Sequence, residues 1–163
     1  MRLFLGFSAT GLLFLCIETT LFNYFSGVPV KPDLILVMVV YLGIFRGPII
    51  GIVLAFTLGY LMDTLSGSII GLYSFLRIIT FLLTKLACVN FYLNSVFTQT
   101  ILVLVLSIVD GIFLLSTLYL FSSIDNLWPF VVKFVPLQSI LTGILSPIIF
   151  LILNKTDLLL EPR

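Results

Sequence analysis

Four charged residues lie inside long apolar stretches: Glu18, Asp63, Arg77 and Asp110. A charge in a hydrocarbon setting is costly, so each needs an opposite charge, a hydrogen-bond partner or water. One cation among three acids leaves an excess of negative charge, to be met by a proton or by water. An acid–base pair can be drawn from Glu18 and Asp110, but nothing in their spacing selects it. The chain has no histidine, which removes the commonest general base and the commonest metal ligand. No Ser/His pair, metal-ligand cluster or phosphate-binding loop can be found. Cys16 and Cys88 both fall in apolar runs without a CxxC neighbour, so they are expected to be buried small hydrophobes. The chemistry expected is binding and assembly, with no catalytic residue, metal or cofactor.

Uncharged polar residues extend the charged set along helical faces. Tyr73, Arg77, Thr80 and Thr84 recur at spacings of three or four, as do Gln138, Thr142 and Ser146 at spacings of four. Ser107 lies three residues before Asp110. Such stripes are expected to face a bundle interior rather than lipid. Gly51, Ala55 and Gly59 stand in line with Asp63. A small-residue stripe of this kind lets another helix approach closely and places the carboxylate at its end.

The elements that carry these residues follow from composition. Hydrophobic residues make up 61% of the 163 positions and charged residues 9%, against about 45–50% and about 25% in soluble domains. The mean hydropathy is +1.31. So much apolar surface calls for lipid as solvent, and a net charge of +1 provides no field for nucleic acid. Six apolar stretches can be marked, at 3–25, 33–45, 48–65, 69–89, 96–121 and 131–153, separated by short Gly, Pro, Ser and Asn turns. They predict an all-α, polytopic, six-helix transmembrane bundle forming a single domain over 1–163. The first stretch exceeds the ~7–15 apolar residues of a signal peptide and reads as a retained span. The second is short for a span, so it is either a span in thinned membrane or a segment shielded by its neighbours, giving five or six crossings. With six spans and both termini in the cytoplasm, Arg2, Arg46, Lys85, Lys155 and Arg163 lie inside and only Lys31 and Lys133 outside. Tyr24 and Trp128 then fall at the outer interface.

Residues 31–76 carry a motif. Pro32-Asp33 opens an apolar run, Arg46-Gly47-Pro48 turns it, and Gly51 and Gly59 lead to Asp63-Thr64-Leu65-Ser66-Gly67 and then Gly71-Leu72. This pattern resembles the bacterial rod shape-determining membrane protein MreD. The resemblance implies a non-enzymatic inner-membrane component of the elongasome, the machinery that directs peptidoglycan synthesis and maintains cell shape. It implies MreC as principal partner, MreB through MreC, and the RodA glycosyltransferase with a penicillin-binding transpeptidase in the same complex. A second copy of the chain is a further candidate partner. The family is thought to share its six-helix arrangement with the substrate-binding S-components of vitamin transporters.

On that resemblance, Asp33, Arg46, Asp63, Gly67 and Gly71 are the positions carried by the motif. Asp33 would tie the outer end of the second helix and Arg46 would mark the cytoplasmic turn. Asp63 with Ser66-Gly67 would shape the outer mouth, with Arg77 as its charge partner. Gly51 and Gly59 would serve close helix packing. The alternative reading is an S-component of a micronutrient transporter, with Glu18, Asp63, Arg77 and Asp110 around an outward pocket. Such proteins usually carry an Ala-x-x-x-Ala contact on the first helix, whereas here Ala9 is followed by Leu13.

Overall fold

A helix that is apolar on every side has to be surrounded by protein or by lipid. Leu34–Phe45 is such a segment, and the rest of the fold is arranged around it. The structure, a computed structural model, describes residues 2–24, 31–66, 71–91, 93, 95–121 and 128–160. Among these residues there are six α-helices and no strand: α1 Arg2–Tyr24, α2 Leu34–Phe45, α3 Pro48–Ser66, α4 Leu72–Asn90, α5 Val96–Phe121 and α6 Trp128–Leu160.

Every α2 residue from Leu34 to Gly43 is buried, and α2 touches each of the other helices. Its twelve residues reach only about 18 Å. That length is sufficient because neighbouring helices, not lipid, satisfy its surroundings. Of the two expectations for this segment, shielding by neighbours is the one realised. Asp33 starts the helix by accepting from the Leu36 amide at 2.7 Å, and the Arg46 amide closes it on the Leu42 carbonyl at 2.9 Å. Pro48 then takes the first position of α3, where its missing N–H is not needed.

Among the described residues, four helical segments are long and apolar enough to cross a membrane: Pro48–Ser66, Leu72–Asn90, Val96–Thr117 and Phe134–Leu158. The apolar parts of α1 (Gly6–Thr20) and of α2 are shorter. The outer rim of the bundle is itself apolar, with Ile49, Val53, Phe56 and Tyr60 exposed on one face of α3, and Phe97, Ile101, Val105, Ile108 and Ile112 on one face of α5. A continuous belt of this kind has no place in water. The chain is a multi-pass membrane protein. Cys16, expected inside, is exposed on α1, and Cys88 is only partly buried. In lipid the outward face is apolar too, so a small hydrophobe can occupy either side.

Most boundaries shift by a residue, α6 begins at Trp128 rather than 131, and two larger shifts have a visible cause. α4 begins at Leu72 rather than 69, because Gly71 adopts φ 96°, a left-handed conformation that turns the chain into the helix. α6 runs seven residues past 153, to Leu160. Leu153 and Asp157 continue the inward face of Thr142 and Ser146 at helical spacing, and contacts of Asp157 described below hold the extension.

Candidate functional site

At the end of the bundle where α2 begins, three elements meet on one arginine. The Arg77 side chain, projecting from α4, is 0% exposed. Its Nη2 donates to Asp33 Oδ2 at 2.5 Å, and its Nη1 reaches Asp110 Oδ1 on α5 at 3.4 Å. Thr80 Oγ1, one turn along α4, lies 3.3 Å from the same Asp110 oxygen. The Asp33 amide donates to Thr142 Oγ1 of α6 at 3.1 Å. The Asp33 carboxylate thus caps α2, pairs with α4, and is held beside α6. The inward polar stripes are largely as expected: Arg77, Thr80, Thr84, Ser107, Thr142 and Ser146 are buried, and Tyr73 and Gln138 partly so.

Arg77 is not the partner of Asp63. The two Asp63 oxygens accept from the Tyr73 amide at 2.8 Å, the Ser74 amide at 3.1 Å and the Ser74 hydroxyl at 2.7 Å. The physical reason lies in how α4 starts. Its N-cap position is Gly71, which offers no side chain to satisfy the first free amides. Asp63 supplies that acceptor from the end of α3, and its charge suits the positive helix terminus. Asp63→Ala is therefore expected to lower the stability of the purified protein by about 1–2 kcal/mol. Asp63→Asn keeps one acceptor oxygen and is expected to lose roughly half as much. Thermal melts in detergent read both, and equal melting of all three proteins would remove the cap.

The glycine stripe does what its spacing suggests. A Cβ on Gly59 would lie 2.5 Å from Ser74 Cα, and one on Gly51 would run into the Phe81 ring, so α4 fills the groove along α3. Gly67, and the 67–70 segment that contains it, lies outside the described residues. So do Arg163 and the side chains of Arg2, Tyr24, Trp128 and Lys133.

Glu18 of α1 approaches the cluster from the side. Its Oε2 is enclosed and has no hydrogen-bond partner among the described residues. Glu18, Asp33, Tyr73, Asp110 and Gln138 line a cavity of about 370 Å³, with Lys31 at its rim. A second cavity of about 380 Å³ shares Glu18, Lys31, Met62 and Tyr73 with it. Glu18 and Asp110, paired only by hypothesis in the sequence, thus face one space.

The opposite end is tied by Arg46. Its guanidinium pairs with Asp157 of α6 and lies 5.2 Å from the centre of the Phe7 ring. Tyr41 Oη donates to Asp157 at 3.4 Å, and Lys85 Nζ donates to the Arg46 carbonyl at 2.5 Å. Arg46 does mark a turn, and it also bolts α6 to α2. Asp157 lies beyond the apolar stretch that ends at 153, so the polar spacing within that stretch does not reach it. Carrying the inward stripe on by 3.6 residues per turn would have found it. Asp157→Asn is expected to cost only about 0.5–1 kcal/mol, since this pair is reached by solvent. Parallel melts with Asp63→Ala would place it as the milder variant.

Among models of protein families, one described as rod shape-determining protein MreD matches residues 1–156 of this chain. No curated protein and no solved structure matches it.

Proposed function

The chain belongs to the rod shape-determining protein MreD family, and on that premise we propose that it is a non-enzymatic scaffold of the cell-elongation complex in the bacterial inner membrane. The family match over 1–156 carries the reading, which makes the chain a rod-shape-determining membrane component. On the proposed reading its chief partner is MreC, with RodA and a penicillin-binding transpeptidase joined in the same complex and MreB reached through MreC. Both termini lie in the cytoplasm, together with the Arg46–Lys85–Asp157 end of the bundle.

The fold supports a particular kind of docking. Gly11, Gly43, Gly51, Gly59, Gly111 and Gly143 all abut side chains or backbone of this chain's own helices. Small-residue grooves are therefore occupied internally, and a partner helix would meet the bulky exposed faces of α3 and α5. Packing of that sort is driven by shape and van der Waals contact within lipid.

Two experiments test the reading. Purification of the tagged protein in mild detergent should bring MreC or a wall synthase with it. Deletion of the gene in a rod-shaped host should alter cell width and lateral wall synthesis. Unchanged shape together with no recovery of these partners would sink the proposal. A cysteine at Val105 or Phe56 should cross-link to MreC, whereas one at the enclosed Leu58 should not.

A further inference from the structure

The cavity beside the Arg77 cluster is ringed by every element of the fold. Glu18 comes from α1, Asp33 from the cap of α2, Met62 from α3, Tyr73 from α4, Asp110 from α5 and Gln138 from α6. Residues of all six described helices therefore bound this one space. Its volume of about 370 Å³ falls in the range of about 300–1,000 Å³ that holds small molecules.

The charges around it do not balance. Glu18, Asp33 and Asp110 face Arg77 and Lys31, which leaves one negative charge even with both cations counted. Arg77 is already committed to Asp33 and Asp110. Asp110 is 6% exposed and lines the cavity, and both of its polar contacts among the described residues fall on Oδ1. Glu18 Oε2 is enclosed and has no hydrogen-bond partner among the described residues. An enclosed carboxylate oxygen without a donor, beside a second carboxylate lining the same space, is costly unless something fills it. Among the described residues no group of three or more acidic, His or Cys side chains is placed to hold a metal ion. Leu114, Leu115 and Phe134 line the remaining wall and suit an apolar body.

We propose that this cavity binds a small organic cation, an ammonium group carried on an apolar body, with Glu18 and Asp110 accepting its N–H donors. The chemistry is shared by a free amine and by the ammonium of a phosphatidylethanolamine headgroup, and the test separates the two.

The intact protein in detergent is titrated with phenethylammonium, and in parallel with 2-phenylethanol and 3-phenylpropionate, reading thermal melting and ligand NMR. The ammonium should raise the melting temperature in a saturable manner, and the alcohol and the carboxylate should not. Glu18→Gln removes one charge-assisted contact and should weaken the ammonium by about tenfold. Lys31→Met, at the exposed rim, removes a competing cation and should tighten it. That variant keeps the test decisive should Glu18→Gln not fold. In nanodiscs, weaker binding with phosphatidylethanolamine than with phosphatidylglycerol would assign the site to a lipid headgroup, and equal binding to a soluble amine. If the alcohol performs as well as the ammonium, or if both variants bind it like the parent chain, the proposal is overturned.

Discussion

Arg77→Met is expected to yield little monodisperse protein. The guanidinium is wholly enclosed and holds Asp33 at 2.5 Å and Asp110 at 3.4 Å. Removing it leaves two carboxylates inside the bundle without the cation that pairs them. Breaking a buried ion pair by deleting one partner costs about 3–5 kcal/mol, a large part of the roughly 5–15 kcal/mol that holds a typical domain together. The damage should spread, because Asp33 is also the cap of the central helix and sits on Thr142. Arg77→Lys keeps the charge but lacks the fork that spans both acids, so an intermediate loss is expected. Adding Asp110→Asn to Arg77→Met should recover part of the loss, since one orphaned charge is then removed. Size-exclusion profiles and melting temperatures of the four proteins give the answer. A single Arg77→Met that melts like the parent chain would show that the cluster does not hold the helices together.

Gly59→Ala is expected to be nearly as damaging, for a steric reason. The added Cβ would lie 2.5 Å from Ser74 Cα and 2.8 Å from both Ser74 N and Tyr73 O. These are backbone atoms and cannot swing aside as a side-chain end can. α3 and α4 must separate, and the Asp63 bonds to the Tyr73 and Ser74 amides stretch with them. Overpacking of a core costs about 1–3 kcal/mol, and the loss of the cap should place this variant at the upper end. Gly51→Ala meets the Phe81 ring, which can tilt, so its effect should be smaller. Gly47→Ala meets nothing within 4 Å and should be close to neutral. Melting the three variants side by side should give the order Gly59, Gly51, Gly47 from most to least destabilised. Parity between Gly59→Ala and Gly47→Ala would contradict the close approach of α3 and α4.

The number and nature of the helices were legible in the chain because apolar runs broken by Gly, Pro and Ser are local signals. The inward faces were legible too, since Arg77, Thr80 and Thr84, like Thr142 and Ser146, repeat at the period of the helix itself. The Gly51, Ala55, Gly59 stripe announced a close neighbour without saying which one. Partner choice was not legible. Asp33, Asp63 and Asp110 are equivalent acids in one dimension, and only packing places Asp33 and Asp110 on Arg77 while giving Asp63 to the bare amides of α4. The short second stretch was ambiguous for the same reason. Its twelve apolar residues fit thin lipid or a protein interior equally well, and enclosure by the other helices decided between them. Periodicity determines which side of a helix turns inward. Which helix it then meets is settled by close packing of the whole bundle, together with the cost of leaving any buried charge or amide without a partner.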